Sequence, residues 1–294
     1  MTEGSEATDR PPNYRLPPSA RIGRITLRVA DVARSAAWYE RTIGLVRLAH
    51  DGNRATMGGA NGAELVVLDG VPGSNPVARR GQLGLYHFAV LLPTRADLGR
   101  FARQLRSIGE RVGAADHEVS EALYLTDPDG HGVEVYADRP ASSWKHVNAQ
   151  LAMSTESLDL AELMDAGGEE AWNGAPPSTV IGHVHLRVAD IERAEAFYRQ
   201  ALGFERTVWS YTGALFLAAG GYHHHVGLNA WSPGALRPGP DDARLLEWEL
   251  IVPAHDASAI LTNVLRAGGT VSAALAGGIA LDPWGTAVRI SPGA

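Results

Sequence analysis

The feature that most restricts what this chain can become is a repeat. The segment starting at Ile22, IGRITLRVADVARSAAWYERTIGLVR, aligns without a gap on the segment starting at Ile181, IGHVHLRVADIERAEAFYRQALGFER. Self-similarity of this kind means one supersecondary unit used more than once. Each copy opens on an alternating stretch, the pattern of a strand. Asp31 and Asp190 follow, where the start of a helix needs a side-chain acceptor. Apolar residues then recur at helical spacing: Ala37, Tyr39 and Ile43 in one copy, Ala196, Tyr198 and Leu202 in the other. Gly44 and Gly203 stand where a helix C-terminus wants positive φ.

Two fainter copies complete a set of four. GLYHFAVLLP from Gly84 parallels LEWELIVP from Leu246. Each leads into a helical stretch that ends near a glycine, and each closes on a turn and a strand: DPDGHGVEVY from Asp127 and DPWGTAVRI from Asp282. The unit is therefore strand, helix, then three strands, in modules spanning 21–78, 81–140, 179–232 and 244–293. Residues 141–178 read as a polar linker between the halves 21–140 and 179–294, with a short helical pattern at 158–164 and a Pro176-Pro177 stop. Residues 1–20 are polar and proline-rich and read as a mobile tail. One such unit cannot cover both faces of its own sheet, whereas two side by side make a curved eight-stranded cup. The expected fold is α+β, four βαβββ modules paired into two cups.

Composition narrows the chemistry. There is no cysteine, which excludes disulfides, thiolate catalysis and thiolate–metal sites. Eleven histidines remain as ligands for any metal. The formal charge of −7 and the lack of a clustered basic face argue against nucleic acid. No apolar run approaches the ~20 residues of a membrane helix, and the N-terminus lacks the basic start and apolar middle of a secretory signal, so a cytoplasmic protein is expected.

The βαβββ repeat resembles the vicinal oxygen chelate superfamily, which includes glyoxalases, bleomycin-resistance proteins and extradiol dioxygenases. That resemblance covers nearly the whole chain after about residue 20. It implies that metal ligands stand at inward positions on the first and last strands of paired modules. In this sequence those positions are Arg24, His87, His183 and Glu247 on the first strands, and Glu64, Glu134, His224 and Arg289 on the last. If module two pairs with module three, one cup holds His87, Glu134, His183 and His224. The other then holds Arg24, Glu64, Glu247 and Arg289, which can neutralise one another as a buried ion-pair cluster. Sequential pairing would instead put an arginine beside each prospective metal. Crossed pairing is favoured on that electrostatic ground.

The stretch HEVSEALYLTDPDGHGVEVY (117–136) is similar to the last strands of the catalytic module of type I extradiol dioxygenases. LYHFAVLLPTRADL and GYHHHVGLNAW resemble their catechol-2,3-dioxygenase group. Carried over residue by residue, the resemblance implies His87, His183 and Glu134 as metal ligands. It implies Tyr124 against the substrate oxygen, His117 behind it on the O₂ side, and His224 as acid–base toward the substrate hydroxyl. Two imidazoles and a carboxylate suit Fe(II), with Mn(II) or another divalent metal as alternatives. The implied partners are a small aromatic diol and O₂, and the family resemblance raises a homodimer. Two-domain extradiol enzymes often hold all their ligands in the C-terminal half, whereas here the site would bridge the halves.

Plainer readings stand beside these. Alone, His87 between Tyr86 and Phe88 reads as a packed core histidine, and Tyr124 as an interior aromatic with its hydroxyl on a carbonyl. Glu134 inside an apolar strand is costly to bury without a partner, which favours a site. His185 lies two residues from His183 on the same face and could pack or contribute. In the run His223-His224-His225, alternation sends His224 to one face and its neighbours to the other. Asp127–Gly130 reads as an ordinary turn, and GGANG from Gly58 as a hairpin turn rather than a phosphate loop. The functional alternatives are a glyoxalase-type isomerase or epimerase using Zn, Ni or Co, and a non-enzymatic ligand-binding protein of the bleomycin-resistance type.

Overall fold

A computed structural model describes residues 14–78 and 81–293, so residues 1–13 of the expected tail lie outside it. The end of that tail is packed on the body. Leu16 is buried, its amide donates to the Gly203 carbonyl (2.9 Å), and the Tyr14 hydroxyl donates to Asp256 (2.7 Å).

Each of the four repeats forms the expected unit. Module one holds β1 (Arg21–Val29), α1 (Val32–Trp38), β2 (Val46–Asp51), β3 (Arg54–Gly58) and β4 (Glu64–Gly70). Module two holds β5 (Gly84–Leu91), α2 (Arg95–Ser107), β6 (Gly113–Asp116), β7 (Ser120–Thr126) and β8 (Gly132–Asp138). The linker carries a two-stranded ribbon, β9 (His146–Val147) and β10 (Gln150–Leu151), and helix α3 (Leu160–Ala166). Module three follows with β11 (Val180–Arg187), α4 (Ile191–Glu195), β12 (Glu205–Val208), β13 (Ala214–Ala218) and β14 (Val226–Asn229). Module four has β15 (Arg244–Pro253), α5 (Ala254–Arg266), β16 (Thr270–Ala273), β17 (Gly278–Leu281) and β18 (Ala287–Gly293).

Local chemistry sets the boundaries. Asp31 and Asp190 cap α1 and α4 by accepting from the amides of Arg34 and Arg193. Both helices then widen into π-helical turns, Tyr39–Ile43 and Ala196–Ala201, and reach glycines at φ +79° and +95°. The glycine-rich stretch after β3 is a hairpin turn, with Gly62 at φ +85°.

The sheets do not follow the order of the chain. One runs β16-β17-β18-β15-β1-β4-β3-β2, joining modules four and one; the other runs β12-β13-β14-β11-β5-β8-β7-β6, joining modules three and two. At each seam the first strands of two modules meet antiparallel, β1 on β15 and β5 on β11. Within every module the first and last strands lie parallel.

The two cups are tied together by repeat-equivalent buried tyrosines. Tyr39, at the end of α1, donates to Asp127 in the turn before β8 (3.2 Å). Tyr198, at the matching position of module three, donates to Asp282 in the turn before β18 (3.0 Å). Each aspartate also accepts two amides of its own turn: Asp129 and His131 in one case, Trp284 and Thr286 in the other. Asp129 reaches across as well, accepting from Arg34, Ser35 and the Ala30 amide. These turns are structural clamps between modules. A large apolar core that includes Phe88, Phe101, Tyr198 and Trp248 fills the space between helices and sheets.

In the cup of modules one and four the inward charges pair as two separate couples, Arg24 with Glu64 and Arg289 with Glu247 (both nitrogen–oxygen contacts 2.7 Å). The expectation of one buried cluster needs correcting. These side chains keep between 16% and 47% exposure, so they are not a buried cluster.

Candidate metal centre

The centre lies where β5, β8 and β11 run side by side. Strand register makes Ala89 on β5 the neighbour of both Glu134 on β8 and His183 on β11. A fully buried alanine there leaves room for the two longer side chains to close over it. His87, two residues earlier on the same face, completes the group. His87 Nε2 stands 2.9 Å from Glu134 Oε2, and His183 Nε2 stands 3.2 Å from the same oxygen. All three side chains are buried, and their ligand atoms lie within 4.8 Å of one another.

This donor set fits a divalent cation. Ligands about 2.1 Å from a common ion and at right angles around it stand about 3 Å apart, close to both measured spacings. The protonation states fit as well. Burial opposes ionisation of Glu134, but the adjacent imidazoles outweigh it and hold the carboxyl well below the usual carboxylate range. Burial pushes the His183 imidazole down to about 4. A carboxylate and a neutral imidazole are the forms that bind metal. The Nδ1 of His183 is buried without a hydrogen-bond partner, so Nε2 is the one engaged atom of that ring.

Two hydrogen-bonded chains reach the centre. On one side His117 Nδ1 lies 2.7 Å from the Ser154 carbonyl, and its Nε2 lies 2.6 Å from the Tyr124 hydroxyl. A carbonyl only accepts, so Nδ1 carries the hydrogen. Its Nε2 and the Tyr124 hydroxyl share the second hydrogen bond, and that hydroxyl also interacts with Glu134. Burial and the nearby Glu134 charge raise the Tyr124 phenol well above its ordinary value, so it stays protonated.

On the other side Asp138 accepts from His223 Nε2 (2.8 Å), and His223 Nδ1 meets His224 Nδ1 at 2.7 Å. His223 thus links the Asp138 carboxylate to the His224 ring. The chain engages His224 through Nδ1. The His224 ring packs on His183, with centroids 4.1 Å apart. Burial, and then the neighbouring imidazoles, hold His224 well below the usual histidine value.

Glu134, His87, Tyr124, His117 and His224 all border one cavity of about 300 Å³. Sequence position alone had His223 and His225 facing away from His224. That holds for His225, which accepts from the Ala219 amide against Phe204. It fails for His223, because β14 begins only at Val226 and strict alternation does not yet apply. His185 sits directly across from His87 and also lines the cavity, outside the three-atom cluster.

Sequence reasoning missed several residues in and around the cavity. Tyr136 shares the inward face with Glu134 and bonds Tyr222 (2.6 Å), which bonds Asp138. Alternation from Glu134 could have found Tyr136. The linker supplies Met153, Ser154 and Thr155 as a cover, with Thr155 on the Tyr211 hydroxyl (3.0 Å). Trp231 closes a side wall from a loop. Loop residues carry no periodicity to read.

Comparison with known proteins agrees with this architecture. The model of the Glyoxalase/Bleomycin resistance protein/Dioxygenase superfamily matches residues 21–135 and 180–283. The chain belongs to that superfamily. Catechol-2,3-dioxygenase of Bacillus subtilis is 39% identical over 255 residues, covering 85% of this chain and 89% of that protein. Among solved structures, a Bacillus subtilis protein provisionally described as a dioxygenase superposes with a TM-score of 0.67. It shares 13% identity over 92% of this chain and 84% of that one. Glyoxalase I of Zea mays gives 0.57 at 19% identity, over 93% of this chain and 92% of that one. At such identities the two structures speak for the superfamily fold alone. Among the described residues no helix is long and apolar enough to cross a membrane.

Proposed function

We propose that the protein is an Fe(II)-dependent extradiol dioxygenase that cleaves the ring of a catechol or related dihydroxy-aromatic beside its hydroxyls. The observation that carries this reading is the convergence of ligand atoms of His87, Glu134 and His183 within 4.8 Å, with His87 and Glu134 bordering a cavity. The 39% identity to a protein named catechol-2,3-dioxygenase supports the substrate class. Bound to the three residues, Fe(II) would offer neighbouring positions to both diol oxygens and to O₂, and a path for electrons between them.

The chain's own groups have distinct tasks in this reading. Tyr124, its hydroxyl hydrogen held by His117, accepts a hydrogen bond from one diol hydroxyl and fixes the ring's orientation. His224 Nε2 takes the proton of the other hydroxyl as the diol binds. Asp138 steadies the resulting imidazolium through His223. Trp231, Tyr211, Phe216 and the linker residues exclude bulk water from the aromatic ring.

The test is oxygen uptake by anaerobically iron-loaded protein given catechol. One O₂ consumed per catechol, with a yellow ring-opened product, is expected. Tyr124→Phe should lower kcat by about 100-fold while metal content stays unchanged. Failure to consume O₂ with any dihydroxy-aromatic would reject the reading, and turnover of a hemithioacetal without O₂ would replace it with an isomerase.

A further inference from the structure

A second cavity, of about 440 Å³, lies behind the first and shares Tyr86, His87 and Tyr124 with it as a wall. Its polar lining is cationic or neutral: Arg187, Arg244, His131, Gln82 and Thr126, with no carboxylate among the described residues that line it. The whole protein carries −7, so the local sign runs against the average.

Neither arginine has an acidic partner within ion-pair distance among the described residues. Arg187 is half-buried. It lies over the Tyr86 ring at 4.6 Å and gives one hydrogen bond, to the Leu85 carbonyl (3.3 Å). Arg244 bonds the carbonyls of Gly239 and Pro240, and strand register sets Arg28 directly opposite it. Like charges opposite each other across strands destabilise a sheet. Asp242 and Asp241 are close enough to be felt by Arg244, but neither forms an ion pair with it, and the Asp242 carboxylate is engaged by the Gly239 amide and Asn75. His131 uses Nδ1 on Asp127, and its ring also interacts with the Arg244 backbone. Half-buried guanidinium groups without anions are costly, and a planar carboxylate matches their paired N–H groups.

We infer that this cavity is a carboxylate-binding site serving the neighbouring metal cavity, with Arg187 and Arg244 as its anion-holding residues. The link to the metal cavity rests on the dioxygenase reading, and the anion site itself does not. Such a carboxylate has two sources: an acidic side chain on the aromatic diol, or the acid group formed when both atoms of O₂ are added across the cleaved carbon–carbon bond.

The first experiment uses metal-free protein and needs no turnover. Isothermal titration with trans,trans-muconate, a six-carbon dicarboxylate, should show saturable, salt-sensitive binding. Arg187→Gln and Arg244→Gln should each weaken it by about tenfold or more, and Arg187→Lys by less, since it keeps charge but loses the planar fork. Circular dichroism confirms that each variant is folded. No saturable binding to the wild type, or binding unchanged in both glutamine variants, overturns the inference. If muconate binds but iron-loaded protein consumes no O₂, the dioxygenase reading falls and the carboxylate site stands.

The second experiment separates the sources in active enzyme. For a substrate tail, Arg187→Gln lowers kcat/KM for 3,4-dihydroxyphenylacetate and leaves 4-methylcatechol unchanged. For a product carboxylate, both substrates keep their kcat/KM and inhibition by accumulated product weakens.

Discussion

Three side chains on three strands meet at a distance set by a fourth residue that does no chemistry. Ala89 is the common neighbour of Glu134 and His183, and its small volume lets them meet. The charge of Glu134 is the part that a cation requires. Glu134→Gln keeps the shape and loses the charge, so metal retention should fall by about 100-fold or more, read by metal analysis after dialysis. Retention at the wild-type level would place the metal elsewhere. The same residues show how much of the site could be read in advance. His87, His183 and Glu134 were visible because a repeat assigns each a position and a face. His223 was misplaced because its facing was inferred from a strand that starts three residues later. Trp231, Tyr211 and Met153 were invisible, since a loop's path depends on what it packs against.

Among elements, the turn before β8 is the most heavily used. Asp127 and His131 are both buried there and form an ion pair at 2.9 Å. Burial works against the charged form of each, but each partner outweighs that cost. The Asp127 carboxyl lies below its ordinary value and the His131 imidazole above its own. A raised imidazole contributes stability fully below its unfolded value of about 6.5, and loses it as pH rises through the higher folded value. A lowered carboxyl contributes above about 4 and loses it on acidification through its lower folded value. The pair therefore stabilises most between about pH 4 and 6.5. Urea unfolding of metal-free protein should show Asp127→Asn destabilising by about 3 kcal/mol near pH 5.5 and by clearly less near pH 8.5. An equal loss at both pH values would mean that the pair is uncharged and held by hydrogen bonds alone. This turn was legible only as a turn. Its second use, gripping Tyr39 of another module, depends on how modules stack, which strand patterns do not encode.

For the whole molecule, the crossed order of the sheets was the one topological feature that electrostatics could reach from sequence. Pairing modules two and three gathered the histidines, and pairing one and four gathered the arginines and glutamates. What charge could not tell was that the second set would stand as two open pairs. Crossed pairing has a direct test. A fragment ending at residue 140 contains two modules that belong to different sheets, so β1 and β5 would both be left with bare edges. That fragment should aggregate when produced alone. Co-produced with residues 141–294 it should co-purify as a complex that retains metal. A stable monomeric fragment 1–140 would mean that modules one and two can pair directly.

The same topology sets a timetable for a chain leaving the ribosome. Two of the three ligands emerge with module two, but nothing can hold a cation until β11 has been made and has zipped against β5. Module one waits longer still, because β15 and β18 come at the far end of the repeat array. Through most of synthesis the nascent protein therefore carries open strand edges, the kind of surface that chaperones cover. A cation at His87, Glu134 and His183 could be held only after the third repeat is in place, which would make its acquisition a late event in the life of each molecule.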